Sequence, residues 1–435
     1  MLRAAIFFLV CPLFLTTRAS CADLSSIVDS EMPSLLATYK TLHQHPEVSQ
    51  HEEHTSAFVA AELRKAGYDV TERVGKYTDG TPAWGVVAIL HHGAGHTLLI
   101  RTELDALPVE ERTDLPYASL EHGVMHACGH DIHMTSLLGT ARALAALQSQ
   151  WRGTLMLIGQ PAEEMVGGAR AMVGDRLYER FGKPDYVIAL HDDPRLAAGT
   201  VGVTPGPVLS SSTTVEVTIR GLGGHGAHPD ATKDPVVMAA QFVLALQTIV
   251  SRQTPPQSPA VVTVGSIHGG TRPNIIPDEV KLQITTRCFS DEVRATILSA
   301  IKRTADGIAL IAGVPANRSP IVNVLDDESV PVTYNDPALA ARLRAVFVQT
   351  LGAENVLDPP AEMASEDVGL FGLEGRQIPV FMMRLGAVDA DKLRESERTG
   401  KPLPSLHSSL FAPIPEPTIR TGVRTTTAAA LNLLQ

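Results

Sequence analysis

One short segment of the chain carries two side chains that could bind the same metal ion. Cys128 and His130 are separated by a single glycine within residues 125–131. Thiolate sulfur and imidazole nitrogen are ligands that borderline-soft divalent metals prefer. A cysteine and a histidine at this spacing more often have no metal role, so a metal site requires further donors elsewhere in the sequence.

Acidic and imidazole side chains that could complete such a site occur later in the chain. Glu163 and Glu164 follow a continuous apolar run, His191 follows a second such run, and His407 lies near the C-terminus. Two adjacent acids are usually part of a solvated loop, but these end an expected buried strand, where an unpaired charge is costly. Ligands bind at the carboxyl ends of strands in open α/β sheets. Asp105 also follows an apolar run, so these positions predict one site at that edge.

Six motifs occur in an order that resembles a known family. They are HACGHD at residues 126–131, QPAEE at 160–164, GGHGA at 223–227, PNIIP at 273–277, SED at 365–367 and LHS at 406–408. Together they resemble the M20 metallopeptidase family, and within it the amidohydrolase branch of hippurate hydrolases and auxin-amino-acid conjugate hydrolases. The resemblance extends over nearly the whole mature chain. It is far more specific for the branch than for a substrate.

The resemblance implies a set of metal ligands, one from each of five motif positions: Cys128, His130, Glu164, His191 and His407. Five ligands suit two ions, since a single catalytic zinc usually takes three protein ligands and water. The expected cofactors are therefore two divalent ions per subunit, drawn from zinc, manganese, cobalt and nickel. The segment around His191 departs from the branch, because Asp192 follows this histidine at a position where valine is common.

The resemblance also implies which residues act on the substrate. Glu163 becomes the general base, which takes a proton from the attacking water and later protonates the leaving amine. His225 would reach the substrate carbonyl, often in the active site of the partner subunit. Asn274 and Arg287 would hold the substrate amide and carboxylate, since a guanidinium matches a carboxylate with two hydrogen bonds.

Two further acids are expected to support the site. Asp105 would orient a metal ligand by hydrogen bonding, and Glu103 supplies the acid that the family shows two residues earlier. Capping of a strand end is an alternative for both residues. Glu366 is expected to be a positioning residue near His407 rather than a catalyst.

Composition and charge limit the class of protein. The chain has 435 residues, which favours two domains, and its 44% hydrophobic content suffices for packed cores. The formal net charge is 36 − 47 = −11, with both signs interspersed. This balance argues against nucleic acid or an anionic membrane as a partner.

The first residues are expected to be a signal peptide, residues 1–22. Arg3 precedes an apolar run, residues 4–15, that is shorter than the roughly 20 residues needed to span a bilayer. Cleavage after Ala22 would export the protein to a periplasm or outside the cell. Lipidation of Cys21 is a disfavoured alternative, because Arg18 occupies a position where a lipobox requires leucine.

The predicted elements divide the rest of the chain into a discontinuous domain and an insert. Residues 208–325 show the order β-α-β-β-α-β, which is typical of a ferredoxin-like α+β domain and is expected to act as a lid or dimerisation domain. Residues 23–207 and 326–435 are expected to form an α/β catalytic domain with a mostly parallel, helix-flanked sheet of the zinc-exopeptidase type. Within it, helices are predicted over residues 30–44 and 131–147, the second capped by Asp131.

These expectations favour a metal-dependent amidohydrolase that cleaves the amide of N-acyl amino acids, either hippurate-like or N-acetylated. The products would be a carboxylic acid and a free amino acid. A metallo-dipeptidase or aminopeptidase-type exopeptidase is the alternative enzyme. A binding homologue without turnover is disfavoured, because the proposed base and all five ligands are present. The expected partners are a small-molecule substrate and a second copy of the chain, in a homodimer or higher homo-oligomer.

Overall fold

The computed structural model describes residues 19–435, with side chains from Leu24 onward. Most of the expected signal peptide, residues 1–18, lies outside the described residues. The first helix, α1, runs over Ala19–Gln44 and so begins well before the predicted start at residue 30. Its buried residues Leu24 and Val28 lie ahead of that start at helical spacing, and this burial explains the longer helix.

The other helices are α2 (Glu53–Lys65), α3 (His130–Ala146), α4 (Gly168–Gly174), α5 (Leu177–Phe181), α6 (Pro235–Thr248), α7 (Asp291–Ile311), α8 (Pro337–Leu351), α9 (Ala390–Thr399) and α10 (Pro415–Leu433). The strands are β1 (Asp69–Lys76), β2 (Pro82–His92), β3 (Thr97–Glu103), β4 (Gly153–Gln160), β5 (Tyr186–Ala197), β6 (Val201–Gly202), β7 (Gly206–Leu209), β8 (Ser211–Arg220), β9 (Gly224–His225), β10 (Ala260–His268), β11 (Ile275–Ile276), β12 (Glu279–Cys288), β13 (Ile321–Val330), β14 (Thr333–Asn335), β15 (Val356–Leu357) and β16 (Val380–Val388).

An eight-stranded sheet forms the centre of the first structural unit, in the order β1-β2-β4-β3-β5-β16-β6-β15. Its middle strands β4, β3, β5 and β16 are parallel, whereas β1 and β2 are antiparallel additions at one edge. Apolar cores cover both faces, one beneath α1, α2, α3, α8 and α10 and the other beneath α4 and α5. The predicted α/β architecture with a mostly parallel, helix-flanked sheet is confirmed.

A separate four-stranded antiparallel sheet has the order β10-β12-β8-β13. It packs against α6 and α7 around its own apolar core. The chain order of these elements is the β-α-β-β-α-β order expected from the sequence. The second sheet spans Ser211 to Val330, and the domain boundaries after residues 207 and 325 stay predictions.

The helix α6 and its π-helical extension, Pro235–Gln253, are apolar and long enough to cross a membrane by length and composition. Met238, Phe242 and Leu246 on its inner face are buried in the core of the second sheet. On its outer face, Val237 and Leu244 are exposed. The helix therefore has a core-packing face and an apolar surface face.

The start of α3 differs from the sequence prediction. The residue before the helix is Gly129, with φ 75°, and no side chain caps the first turn. Asp131 lies inside that turn, where its Oδ2 is 2.6 Å from Nδ1 of His43. Because this carboxylate is engaged by a histidine of α1, the predicted capping role of Asp131 is wrong.

Candidate metal centre and active site

The candidate donors come from four places around the carboxyl edge of the large sheet. Cys128 and His130 lie at the start of α3, and Glu164 follows the end of β4. His191 lies inside β5 rather than beyond it, because β16 pairs with β5 through Asp193. The loop after α9 carries the fifth donor, His407.

Two of the histidines are held in the tautomer that a metal ligand needs. Nδ1 of His130 is 2.7 Å from the main-chain oxygen of Asp105, and Nδ1 of His191 is 2.8 Å from that of Asp192. A carbonyl oxygen can only accept, so each Nδ1 carries the proton. Each Nε2 therefore presents a lone pair to the site.

The five donors form two overlapping groups. Cys128, His130 and His191 lie within 4.8 Å of one another, as do Cys128, Glu164 and His407. The two groups therefore share the sulfur of Cys128, and its Sγ is 3.6 Å from Nε2 of His191. Oε1 of Glu164 lies 3.4 Å from Nε2 of His407 and 3.9 Å from Nε2 of His130.

These side chains fit divalent cations. Nε2 of His130 and Oε1 of Glu164 are buried without a hydrogen-bond partner among the described residues. Burial, together with the charges of Glu164 and Glu163, raises the pKa of the Cys128 thiol well above its ordinary value. A cation would offset this accumulation of buried donors, since unpaired buried charge is costly. Thiolate, imidazole and carboxylate are the donors that zinc and neighbouring transition metals take.

The loop that carries His407 is fixed beside Cys128. His407 adopts a left-handed backbone conformation with φ 65°, which is uncommon for a residue with a side chain. Its main-chain N–H donates to the oxygen of Ala127 across 2.8 Å. This hydrogen bond joins the loop directly to the segment that carries the first two donors.

Glu163 lies at the same place with a different role available to it. Its Oε2 is 3.7 Å from Nε2 of His130, and the side chain is almost fully buried. Burial, followed by the charges of Glu366 and Glu164, holds its pKa well above the ordinary range for a carboxyl. A carboxyl whose pKa is raised in this way is, once ionised, a stronger base than an ordinary carboxylate.

Asp105 contacts two of the candidate ligands. In addition to the main-chain contact with His130, its Oδ2 accepts the N–H of Glu164 at 3.0 Å. Ser49 donates to the same oxygen across 2.6 Å. Burial opposes ionisation of Asp105, but these hydrogen bonds and His130 outweigh it and lower its pKa. Its position therefore suits the expected orienting role.

A buried arginine that the sequence did not identify, Arg101, is close enough to Glu163 for the charge of that carboxylate to raise its pKa. Arg101 pairs with Glu103, Glu366 and Asp367, with 2.8 Å to Oδ1 of Asp367. Glu366, which is expected to be a positioning residue near His407, lines the same cavity as His407 and has Arg101 as its ion partner. A buried carboxylate requires such a cation. The sequence signal was an arginine that directly follows the apolar residues 98–100 of β3.

A cavity of about 770 Å³ opens over these donors. Arg287 of β12 lines it, and its guanidinium contacts only neutral groups, including Oγ1 of Thr285 at 2.7 Å. Burial lowers the pKa of Arg287, and no carboxylate of the described chain counteracts this effect. A cation without a partner in the cavity wall is suited to bind an anionic group of a ligand.

The two remaining predicted site residues lie together but away from this cavity. His225 is exposed and pairs with Ile275, and Gly226 donates to the main-chain oxygen of Asn274 at 2.9 Å. Neither His225 nor Asn274 lines the cavity. They would reach it only by movement of the second sheet or from another copy of the chain.

Comparison with known proteins identifies the class to which this fold and site belong. Residues 99–399 match the peptidase family M20/M25/M40. The chain belongs to this family of metallopeptidases and related amidohydrolases, as the six motifs indicated.

Three similar proteins illustrate the range of the family. The chain is 36% identical over 343 residues to an N-acetyl-L-cysteine deacetylase of Bacillus subtilis, covering 78% of this chain and 77% of that protein. It is 36% identical over 332 residues to a hippurate hydrolase of Campylobacter jejuni, covering 76% of this chain and 82% of that protein. A dinuclear metal-binding M20 peptidase of Bacillus subtilis superposes with a TM-score of 0.73 at 26% identity, covering 93% of this chain and 99% of that protein.

Proposed function

We propose that the protein is a dinuclear metal-dependent amidohydrolase that cleaves N-acyl amino acids into a carboxylic acid and a free amino acid. The observation that carries this proposal is one cavity lined by four of the five donors, by the adjacent buried carboxyl of Glu163 and by Arg287, which has no ion partner among the described residues. The deacetylase and hippurate hydrolase relatives act on substrates of this class.

The metal cluster supplies one part of the chemistry. Two divalent ions held by the five donors would polarise the amide carbonyl and promote loss of a proton from water. We propose zinc, manganese, cobalt or nickel for this role. The donor chemistry supports all four, and reconstitution of the metal-free protein with each ion would identify the one that gives the highest turnover.

The protein side chains move the proton and hold the substrate. Glu163 accepts a proton from water as the water oxygen adds to the carbonyl carbon. The same side chain returns that proton to the amide nitrogen as the C–N bond breaks. Arg287 binds the α-carboxylate of the amino-acid half. Asp105 keeps His130 and Glu164 oriented through the contacts described above.

We further propose that the protein acts as a homodimer in which His225 and Asn274 complete the active site of the other copy. Two features support a contact between copies of the second sheet: the exposed apolar face of α6, and the outer edge of β10, which pairs with no other strand of residues 19–435. His225 would donate a hydrogen bond to the oxyanion that forms during attack on the amide.

Subunit mixing tests this assembly. Loss of one oxyanion donor costs about 10²–10³ in turnover, so His225→Ala should lose activity by that factor and retain its metal. Mixing it with Glu163→Gln should restore part of the activity, because a mixed dimer contains one intact composite site. A monomeric protein, or no recovery after verified subunit exchange, contradicts action across the interface.

Export is also a proposal, and it rests on residues 1–22. Cleavage after Ala22 would keep every described side chain of α1, from Leu24 onward. N-terminal sequencing of the protein from fractionated cells tests the proposal. A mature chain that starts after Ala22 supports it, and an uncleaved cytoplasmic chain contradicts it.

A substrate panel separates the proposed function from its alternatives. The metal-loaded protein would be assayed with benzoylglycine, N-acetyl amino acids and unblocked dipeptides, with release of free amino acid as the measurement. Faster cleavage of acylated substrates supports the proposal. Preference for dipeptides would identify a metallo-dipeptidase, and binding without cleavage would identify a silent homologue.

A further inference from the structure

Asp192 is a buried residue that contacts two histidines at once. It follows His191 in β5, and its side chain is 2% exposed. Its Oδ1 lies 3.4 Å from Nδ1 of His191 and 3.2 Å from Nε2 of His133. Its main-chain oxygen accepts the Nδ1–H of His191 at 2.8 Å. One residue therefore contacts His191 through both its main chain and its side chain.

The second histidine connects this contact to the interior. Nδ1 of His133 is 2.9 Å from Oε2 of Glu103, and Glu103 in turn pairs with Arg101. All of these side chains are buried. A continuous series of polar contacts thus runs from His191 through Asp192, His133 and Glu103 to Arg101.

The same carboxylate is packed against the loop that carries Cys128. A methyl group at Gly129 would lie 2.3 Å from Oδ2 of Asp192, so the carboxylate fills the space that a larger residue would need. Oδ2 is buried without a hydrogen-bond partner among the described residues. Asp192 is therefore confined between the Cys128 loop and the two histidines.

We propose that Asp192 is a positioning residue of the metal centre, which keeps Nε2 of His191 directed at the site and links its ring to the buried network. A carboxylate beside the distal nitrogen also makes a histidine a more basic ligand. An apolar side chain at this position could keep both main-chain contacts, which are the one to Nδ1 of His191 and the N–H of residue 192 that donates to Nε2 of His133 at 3.0 Å. It could keep neither of the side-chain contacts. The inference rests on the proposed metal role of His191, and it assigns the residue that departs from the valine common in the branch.

Cobalt titration of the metal-free protein tests this role without measuring activity. The Cys128 thiolate gives Co²⁺ a charge-transfer band, and competition with a chelator gives the affinity of each of the two equivalents. Mutation of a residue that orients a ligand typically costs 10–100-fold in metal affinity, so Asp192→Val should weaken one equivalent by about that factor. The affected equivalent should be the one bound by His191, with the other near its original affinity.

Two more variants make the result specific. Asp192→Asn keeps the size of the side chain and an accepting oxygen, so we expect a smaller loss at the same equivalent. Asp193→Asn is the matched control, because Asp193 pairs with Arg195 at 2.9 Å. Among the described residues it makes no hydrogen bond or ion pair with any of the five proposed ligands. The Asp193→Asn variant should bind both cobalt equivalents with the affinity of the unchanged protein.

Several outcomes would overturn the inference. They are wild-type affinity for both equivalents in Asp192→Val, an equal weakening of both, or a loss of the same size in Asp193→Asn. If Asp192→Val does not fold, the Asp192→Asn titration decides. Failure of the proposed function is a separate result, because a protein could bind two cobalt ions in the expected way and still cleave no N-acyl amino acid.

Discussion

Sγ of Cys128 lies 3.6 Å from Nε2 of His191, and the same sulfur belongs to the donor group that contains Glu164 and His407. Cys128 is thus the donor common to both halves of the candidate metal centre. The five donors are consequently not equivalent, and their removal should have different effects on metal content.

Removal of the shared donor should affect both ions. We predict that Cys128→Ala loses affinity for both equivalents, whereas His407→Ala weakens mainly the one that His407 shares with Cys128 and Glu164. Metal analysis after dialysis of each purified variant measures this difference. Full occupancy in Cys128→Ala would contradict the assignment of the thiol as a ligand.

The buried arginine should be essential for stability. Arg101→Met leaves Glu103, Glu366 and Asp367 without their shared cation, and removing one partner of a buried pair costs about 3–5 kcal/mol. We therefore expect a large fall in the free energy of unfolding, measured by chemical denaturation. The control Arg394→Met removes an exposed arginine paired within α9 and should cost far less. Equal losses would argue against the buried network.

A buried histidine should make stability depend on pH. Burial disfavours the charged form of His43, but hydrogen bonds to Asp131 and Glu111 outweigh this effect and raise its pKa to about 10. The folded state therefore holds the proton more tightly than the unfolded state, whose histidine has a pKa of about 6.5. The stabilisation is complete below that lower value and is lost as the pH rises towards the higher one.

We accordingly predict that His43→Gln lowers the free energy of unfolding most below pH ~6.5. The difference from the unchanged protein should shrink steadily as the pH approaches 10. Denaturation of both proteins across this range in the metal-free state provides the measurement. A difference that does not vary with pH would show that His43 contributes through packing alone.

The unpaired cation of the cavity should determine recognition of the substrate carboxylate. A hydrogen bond to a charged group contributes about 1.5–3 kcal/mol, so Arg287→Ala should reduce kcat/KM by roughly 10–100-fold on N-acyl amino acids. The corresponding amides, which lack the carboxylate, should lose much less. The kcat/KM of Arg287→Lys on N-acyl amino acids should lie between those of the unchanged protein and Arg287→Ala, because lysine keeps the charge without the planar guanidinium. Equal losses on both substrate types would leave Arg287 as a structural residue.

Local patterns were sufficient to predict much of the fold. The apolar runs of β3, β4 and β5 predicted a buried parallel sheet, and the alternating pattern of β8 predicted a half-exposed one. The start of α1 was missed because its apolar period continues through Val28 to Leu24, ahead of the polar residues that resemble a helix start. The extent of β5 was missed because its pairing with β16 depends on residues far along the chain.

The candidate site shows the same division. The ligand motifs are local, and the structure brings all five predicted donors together. The network of Arg101 is not local, since its partner Glu366 is 265 positions away and no short pattern joins them. The motifs of His225 and Asn274 predicted roles in substrate binding, but neither residue lines the cavity in a single copy of the chain.

The most direct test compares the unchanged protein with Glu163→Gln at equal metal content. Release of free glycine from benzoylglycine is measured for both, with a chelator-treated sample of each. The amide keeps the size of Glu163 but cannot accept the proton, so turnover should fall by about 10²–10⁴-fold while two metal equivalents remain bound. Activity that survives in Glu163→Gln, or that persists in the unchanged protein after metal removal, would contradict the proposed mechanism.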